Sequence, residues 1–85
     1  MPTMTDEKIA KQRFVQEELA AMLRAATGGF VHSCEYDGSF NGYEIVYVAT
    51  HPDPWAIDFF AVDVTGDSHW EIAKDVMKTV AERYE

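Results

Sequence analysis

Apolar residues recur at three- and four-residue steps in the first third of the chain, which is typical of a helix with one buried face. Thr5 suits the N-cap of this helix, since a threonine hydroxyl accepts from the first free backbone N–H groups. The pair Gly28-Gly29 predicts its C-terminal end, because glycine readily adopts the left-handed backbone conformation. The predicted apolar stripe consists of Ile9, Val15, Leu19, Met22, Leu23 and Ala26.

Three runs rich in β-branched and aromatic residues follow, at 30–36, 43–50 and 55–64, and each predicts a strand. A segment with two glycines and an asparagine, 37–42, separates the first two runs. The sequence His51-Pro52-Asp53-Pro54 separates the second from the third, since proline cannot donate to a central ladder. Two short connections favour an antiparallel meander.

The last segment predicts a second helix. Ser68 with Glu71 three residues later forms the pattern of a capping box, in which each side chain bonds the other residue's backbone N–H. The apolar stripe that follows consists of Ile72, Ala73, Val76, Met77, Val80 and Tyr84.

The element order is therefore α-β-β-β-α. Both helices must bury an apolar face, and packing both on one side of the sheet gives a two-layer α+β domain over residues 1–85. Both faces of the second and third strands carry apolar residues, so one face is expected to expose aromatic side chains among acids, a pattern common at interaction sites. In the second strand Tyr43, Ile45, Tyr47 and Ala49 lie opposite Glu44, Val46, Val48 and Thr50; in the third, Trp55, Ile57, Phe59, Ala61 and Asp63 lie opposite Ala56, Asp58, Phe60, Val62 and Val64.

The distribution of charged residues along the chain is the feature most informative about function. The chain has 85 residues, 47% of them hydrophobic, one cysteine and a net charge of -8, which together indicate a folded domain without an internal disulfide. The stretch 25–73 contains no Lys or Arg, so it disfavours binding to nucleic acid or to an anionic membrane. Its acids are either a solvated surface or a binding surface of one sign: Glu35, Asp37, Glu44, Asp53, Asp58, Asp63, Asp67 and Glu71.

Catalytic and metal-binding patterns are weak. His32, Cys34 and His51 are soft ligands, but their spacing matches no known zinc motif, and no nucleophile elbow or oxyanion-hole signature is present. We expect no enzyme activity, no cofactor and no metal. No apolar run reaches the length of a membrane span, and the first residues do not form a signal peptide, so a cytoplasmic protein is expected.

The element order resembles the double-stranded RNA-binding domain, but the start of the last helix, from Ser68 to Glu71, lacks the lysines with which that family contacts RNA. In size, charge and element order the chain looks more like small acidic inhibitors encoded by bacteriophages, the anti-CRISPR proteins and the uracil-DNA glycosylase inhibitor. Short stretches similar to the glycosylase inhibitor are Gln16-Glu17-Glu18, Val31-His32-Ser33 and Pro54-Trp55-Ala56. The resemblance implies carboxylates presented where a target expects phosphates, and action in the host cytoplasm.

The sequence thus predicts a non-catalytic inhibitor that binds a basic surface on a nucleic-acid-processing protein. Acids on a rigid sheet would supply steering, and aromatic residues among them would anchor the contact. Two alternatives use the same residues differently: an immunity or antitoxin protein that neutralises a basic nuclease, and a structural domain that homodimerises through its open sheet face. The predicted binding residues are Glu35, Asp37, Glu44, Asp53, Asp58, Asp63 and Asp67, with Tyr36, Tyr43 and Trp55 as anchors.

Overall fold

The predicted α-β-β-β-α order and the α+β class are confirmed. A computed structural model describes residues 5–39, 42–50 and 59–84. The helices α1 (Asp6–Arg13) and α2 (Ala20–Ala26) are joined by a π-helical segment, Phe14–Leu19, and the three together are called the first helix. The remaining elements are β1 (Ser33–Asp37), β2 (Ile45–Ala49), β3 (Phe59–Asp63) and α3 (His69–Tyr84).

Both helices begin where capping chemistry predicts. The Lys8 N–H donates to the Thr5 hydroxyl over 3.3 Å. At the start of α3 the bonds are reciprocal, since the Ser68 N–H donates to Glu71 Oε1 over 3.1 Å and the Glu71 N–H donates to Ser68 Oγ over 3.3 Å. The capping box is confirmed, and it fixes the direction in which α3 leaves the sheet.

The first helix ends at the glycine pair. Gly28 and Gly29 have φ of 61° and 92°, in the left-handed region that other residues rarely adopt. Arg24 reinforces the end by donating from Nε and from its terminal guanidinium nitrogen to the His32 carbonyl, over 3.1 and 2.7 Å. The chain therefore turns back directly into β1.

The π-helical segment changes which residues of the first helix are buried. The Ala20 N–H donates to the Val15 carbonyl, five residues earlier, which marks the wider turn. An α-helix turns once in about 3.6 residues, so a strict four-residue repeat drifts around it, and the wider turn corrects that drift. The residues that face the sheet are spaced by four: Lys11, Val15, Leu19 and Leu23.

Three members of the predicted apolar stripe are exposed, namely Ile9, Met22 and Ala26. Ile9 is 39% exposed and Met22 is 45% exposed. Their predicted burial assumed a uniform α-helix, whereas the wider turn brings Lys11 into line with the core residues.

The sheet has the order β1-β2-β3, with both pairs antiparallel, as the meander prediction requires. The strands β1 and β2 are shorter than predicted. The Phe30 N–H donates to the Thr27 carbonyl in the turn after the first helix, so β1 starts at Ser33. The predicted beginning of the third strand at Trp55 lies outside the described residues.

One core lies between the helices and one face of the sheet. Side chains of alternate strand residues point into it, as the two-residue period of a strand dictates. The sheet and its flanks contribute Val31, Cys34, Tyr36, Val46, Val48, Val62 and Val64; the helices contribute Val15, Leu19, Ala20, Leu23, Ile72, Ala73, Val76 and Val80. Within the described chain both helices pack on this side, which leaves the opposite face of the sheet uncovered.

Candidate protein-binding face of the sheet

The uncovered side of the sheet, here called the open face, is built from the strand residues whose side chains point away from the core. The strand registers arrange them in three rows across the sheet. The rows are Asp37-Ile45-Asp63, Glu35-Tyr47-Ala61 and Ser33-Ala49-Phe59.

Three of the predicted acids meet on the open face. Glu35 and Asp37 lie two residues apart on β1, so their Cα atoms are separated by about 7 Å. Asp63 lies in the same row as Asp37, two strand spacings away, at about 10 Å. The strands carry no Lys or Arg, so the open face has one sign of charge.

Local hydrogen bonds hold two of these acids in their charged form. Asp37 Oδ1 accepts from the Ser39 N–H and hydroxyl, over 2.9 and 2.7 Å, and these bonds lower the pKa of the carboxyl. Asp63 Oδ1 accepts in the same way from the Thr65 N–H and hydroxyl, over 3.0 and 2.7 Å, and its pKa is lowered by them. Because each turn orients its aspartate, the two carboxylates are pre-positioned at one end of the open face.

Aromatic side chains occupy the other end of the open face. The Tyr47 and Phe59 rings meet edge to face, with centroids 6.0 Å apart and an interplanar angle of 71°. Phe59 is 54% exposed, although burial of an aromatic ring is strongly favourable. Beside the rings lies a shallow pocket of about 340 Å³, lined by Ser33, Glu35, Tyr47, Ala49 and Phe59.

Glu44 and Tyr36, both predicted at the binding surface, belong to the core side instead. Glu44 is 7% exposed to solvent and Tyr36 is 2% exposed. Glu44 Oε2 accepts from the Tyr36 hydroxyl over 2.6 Å and from Lys11 Nζ over 3.0 Å. Gly66 N–H donates to the other oxygen, Oε1, over 3.1 Å. The structure thus removes both residues from the candidate surface.

The surroundings of Glu44 explain how a carboxylate can be buried. Burial by itself would raise the pKa of Glu44, but the hydrogen bonds from Tyr36, Lys11 and Gly66 outweigh it, and the pKa lies below its ordinary value. The pKa of Tyr36 is raised by its own burial and by its bond to Glu44. Glu44 is therefore an ionised carboxylate that joins the first helix, β1 and the turn before α3.

Asp67 also lies away from the open face, in the turn between β3 and α3. Burial, a hydrogen bond with Asp75 and the charges of Asp75, Glu71 and Glu44 raise its pKa to about 6. Its Oδ2 atom is buried and has no hydrogen-bond partner among the described residues. Asp67 therefore has an environment unlike that of Asp37 and Asp63 on the open face, whose pKa values are lowered.

The remaining predicted site residues are placed as follows. Tyr43 precedes β2 and is 61% exposed, outside the three rows of the open face. Asp53, Trp55 and Asp58 lie outside the described residues.

Tyr47 and Phe59 were absent from the predicted site although both lie on the open face. Alternation placed Phe59 on the same side of its strand as Asp63, but which side of the second strand continues that face depends on the strand register, which alternation alone does not give. The same alternation placed Glu44 with Val46 and Val48, on the side that became the core. Counting acids in the sequence gave too much weight to charge and too little to alternation.

Cys34, the one cysteine of the chain, is a weak nucleophile in its buried environment. Burial raises the pKa of the Cys34 thiol to about 11, against a smaller lowering by Arg24, so the thiolate is scarce at neutral pH. His32, two residues earlier, is exposed while Cys34 is in the core. No group of three or more potential metal ligands occurs in the part of the chain that the structure describes.

None of the helices among residues 5–39, 42–50 and 59–84 has the length and apolar character needed to cross a membrane. Comparison of the chain with known protein-family models, curated proteins and solved structures finds no match.

Proposed function

We propose that this protein is a non-catalytic inhibitor whose open face binds a basic surface on a nucleic-acid-processing protein. The observation that carries the proposal is the composition of that face. Among the residues that the structure describes, this face of the sheet carries three acids, two aromatic rings and no Lys or Arg, and no helix packs on it. The resemblance to phage-encoded inhibitors supports the same class of partner.

Electrostatics favour a basic partner. The net charge of -8 attracts a positive surface at long range, and the acids of the open face orient the encounter at short range. Because β-sheet hydrogen bonds and the turns after β1 and β3 hold the carboxylates, little side-chain freedom is lost on binding. The exposed Phe59 ring then adds an apolar contact that salt does not screen.

The same charges disfavour homodimerisation through the open face. In a two-fold symmetric dimer the same patch is buried on both copies, so Glu35, Asp37 and Asp63 of each copy would enter one interface. Like charges brought together in an interface cost on the order of several kcal/mol.

An immunity protein against a basic nuclease would use the same face. Identification of the partner separates that function from inhibition of a host protein.

The test compares two variants of equal charge. E35K/D37K/D63K reverses the acids of the open face, and E17K/E18K/E82K reverses three exposed acids on the helices. Each set raises the net charge from -8 to -2, since every reversal adds two charges. Tagged proteins are incubated with bacterial lysate, washed at about 50 mM and then about 500 mM NaCl, where screening is much stronger, and the eluates are identified by mass spectrometry.

We expect to capture a nucleic-acid-binding protein that high salt releases and that a double-stranded DNA competitor displaces. E17K/E18K/E82K should still capture this protein, whereas E35K/D37K/D63K should not. Capture that survives both the high-salt wash and reversal of the open-face acids contradicts the proposal.

A further inference from the structure

We infer that the pocket beside Tyr47 and Phe59 is a binding site for an arginine side chain of the partner. The inference rests on the proposed function, because the arginine belongs to the basic surface that the open face contacts. The inference identifies the chemical group that the open face recognises. A generally acidic surface would accept lysine and arginine alike, whereas this pocket distinguishes between them.

The lining of the pocket matches a guanidinium group. Glu35 supplies a carboxylate, the Ser33 hydroxyl is a further acceptor, and the two rings supply π faces. A guanidinium presents five N–H donors in one plane and no acceptor, so a carboxylate can bond two of them in parallel while a ring stacks on the plane. Glu35 and Tyr47 lie directly opposite each other in the register of β1 and β2, which places an acid next to a ring.

The exposure of Phe59 gives the ring a free face for a cation. A cation within about 6 Å of an aromatic centroid is attracted by the negative face of the ring. The Tyr47 ring meets Phe59 edge to face rather than stacked, so it supports Phe59 without occupying the whole of its surface. The chain already uses this contact on its other side, where the Arg83 guanidinium lies 4.7 Å from the Phe60 ring centroid.

Size and charge also select a side chain over a larger ligand. A volume of about 340 Å³ is near the lower end of the range of about 300–1,000 Å³ for small-molecule sites, and the pocket is shallow. Asp37 and Asp63 lie on the same face outside the pocket, where they can meet further cationic residues of the same partner. A lysine ammonium would gain the charge attraction but neither the bidentate bond nor the stacking.

The experiment titrates the isotope-labelled full chain with two peptides at low salt and follows backbone amides by NMR. One peptide alternates glycine with four arginines, and the other alternates glycine with four lysines. We expect the arginine peptide to bind about fivefold more tightly, in line with the added stacking and bidentate contacts. The largest shifts should be at Ser33, Glu35, Tyr47 and Phe59.

Variants identify the source of that preference. F59L removes the ring from a half-exposed position and should reduce the preference for arginine to less than about twofold, because only charge attraction remains. F59Y keeps a ring and should keep the preference. W70L is the matched control, since it removes a ring that is 73% exposed but lies on α3.

The outcomes separate the pocket from the proposed function. Equal affinity for the two peptides, together with loss of both on D37K/D63K, overturns the arginine site and leaves the basic-surface proposal standing. A preference for arginine that persists in F59L also overturns the pocket assignment. If neither peptide shifts any residue of the open face, both proposals are wrong.

Discussion

At the residue scale, the buried ion pair between Lys11 and Glu44 has the largest consequence for stability. The two side chains are 7% and 9% exposed, and their charged atoms are 3.0 Å apart. Charges removed from water are tolerated only when each has its partner, so the pair constrains both the first helix and the segment before β2.

We predict that K11M destabilises the protein by about 3 kcal/mol, because it leaves the Glu44 carboxylate buried without its cation. The double variant K11M/E44Q should recover part of that loss, since the glutamine is neutral and can still accept from Tyr36. Urea unfolding at pH 7 measures both values. A loss below about 1 kcal/mol in K11M, within the range of exposed pairs, would contradict the burial of this pair.

Asp67 predicts a pH dependence of stability. Its pKa of about 6 in the folded state is above the ordinary value of 3.8, so the folded chain binds this proton more tightly than the unfolded chain does. The contribution of Asp67 to stability is therefore most favourable below the ordinary pKa and declines as the pH rises to about 6. The deprotonated carboxyl near Asp75 then destabilises the protein at neutral pH.

We predict that D67N stabilises the protein at pH 7 by about 1 kcal/mol, a value reduced for solvent screening, and has a much smaller effect at about pH 3, below the ordinary pKa of 3.8. Urea unfolding of both proteins at the two pH values gives the difference. D63N is the control, since hydrogen bonds from Thr65 lower the pKa of Asp63 and no gain is expected. Equal stabilisation by D67N at both pH values would argue against the raised pKa of Asp67.

At the element scale, the order of helices and strands could be predicted, while the π-helical segment, several boundaries and some burial patterns could not. Capping residues and glycines act over a few positions, so Thr5, Gly28 and Ser68 marked helix ends directly. The π-helical segment left no comparable local signal. Its effect is visible only in the four-residue spacing of Lys11, Val15 and Leu19, in which a lysine occupies a core position.

The candidate site was predictable in part for the same reason. Alternation along a strand defines two faces but does not state which one the helices cover. That choice depends on the whole set of buried residues, and it moved Glu44 and Tyr36 into the core. The strands β1 and β3 bring Glu35, Asp37 and Asp63 to one face, and their role in binding stays a prediction.

At the scale of the whole molecule, the net charge of -8 on a small chain destabilises the folded state, because its negative side chains repel one another. Within the described residues, only two ion pairs offset the repulsion, Lys11 with Glu44 and Lys11 with Glu7. In the second pair the charged atoms are 3.9 Å apart and the Glu7 side chain is exposed to solvent. Long-range repulsion between exposed acids is therefore the dominant electrostatic contribution at low ionic strength.

We predict that the melting temperature at pH 7 rises by about 3 °C when NaCl is increased from about 20 to about 300 mM, because salt screens repulsion between exposed charges. Near the sequence pI of about 4.6 the same addition should have little effect, since the net charge is close to zero. Differential scanning calorimetry measures both series. A melting temperature that falls with salt at pH 7 would show that attractive pairs dominate instead.

The alternation of the strands also separates two kinds of evolutionary constraint. Substitutions on the core side, at Cys34, Val46, Val48 or Val62, affect folding, whereas those on the open face, at Glu35, Tyr47 or Phe59, mainly change what the sheet presents. Under the proposed function, one position in two along each strand could therefore be altered to fit a different partner. The sheet thus provides a stable scaffold whose exposed half can vary almost independently.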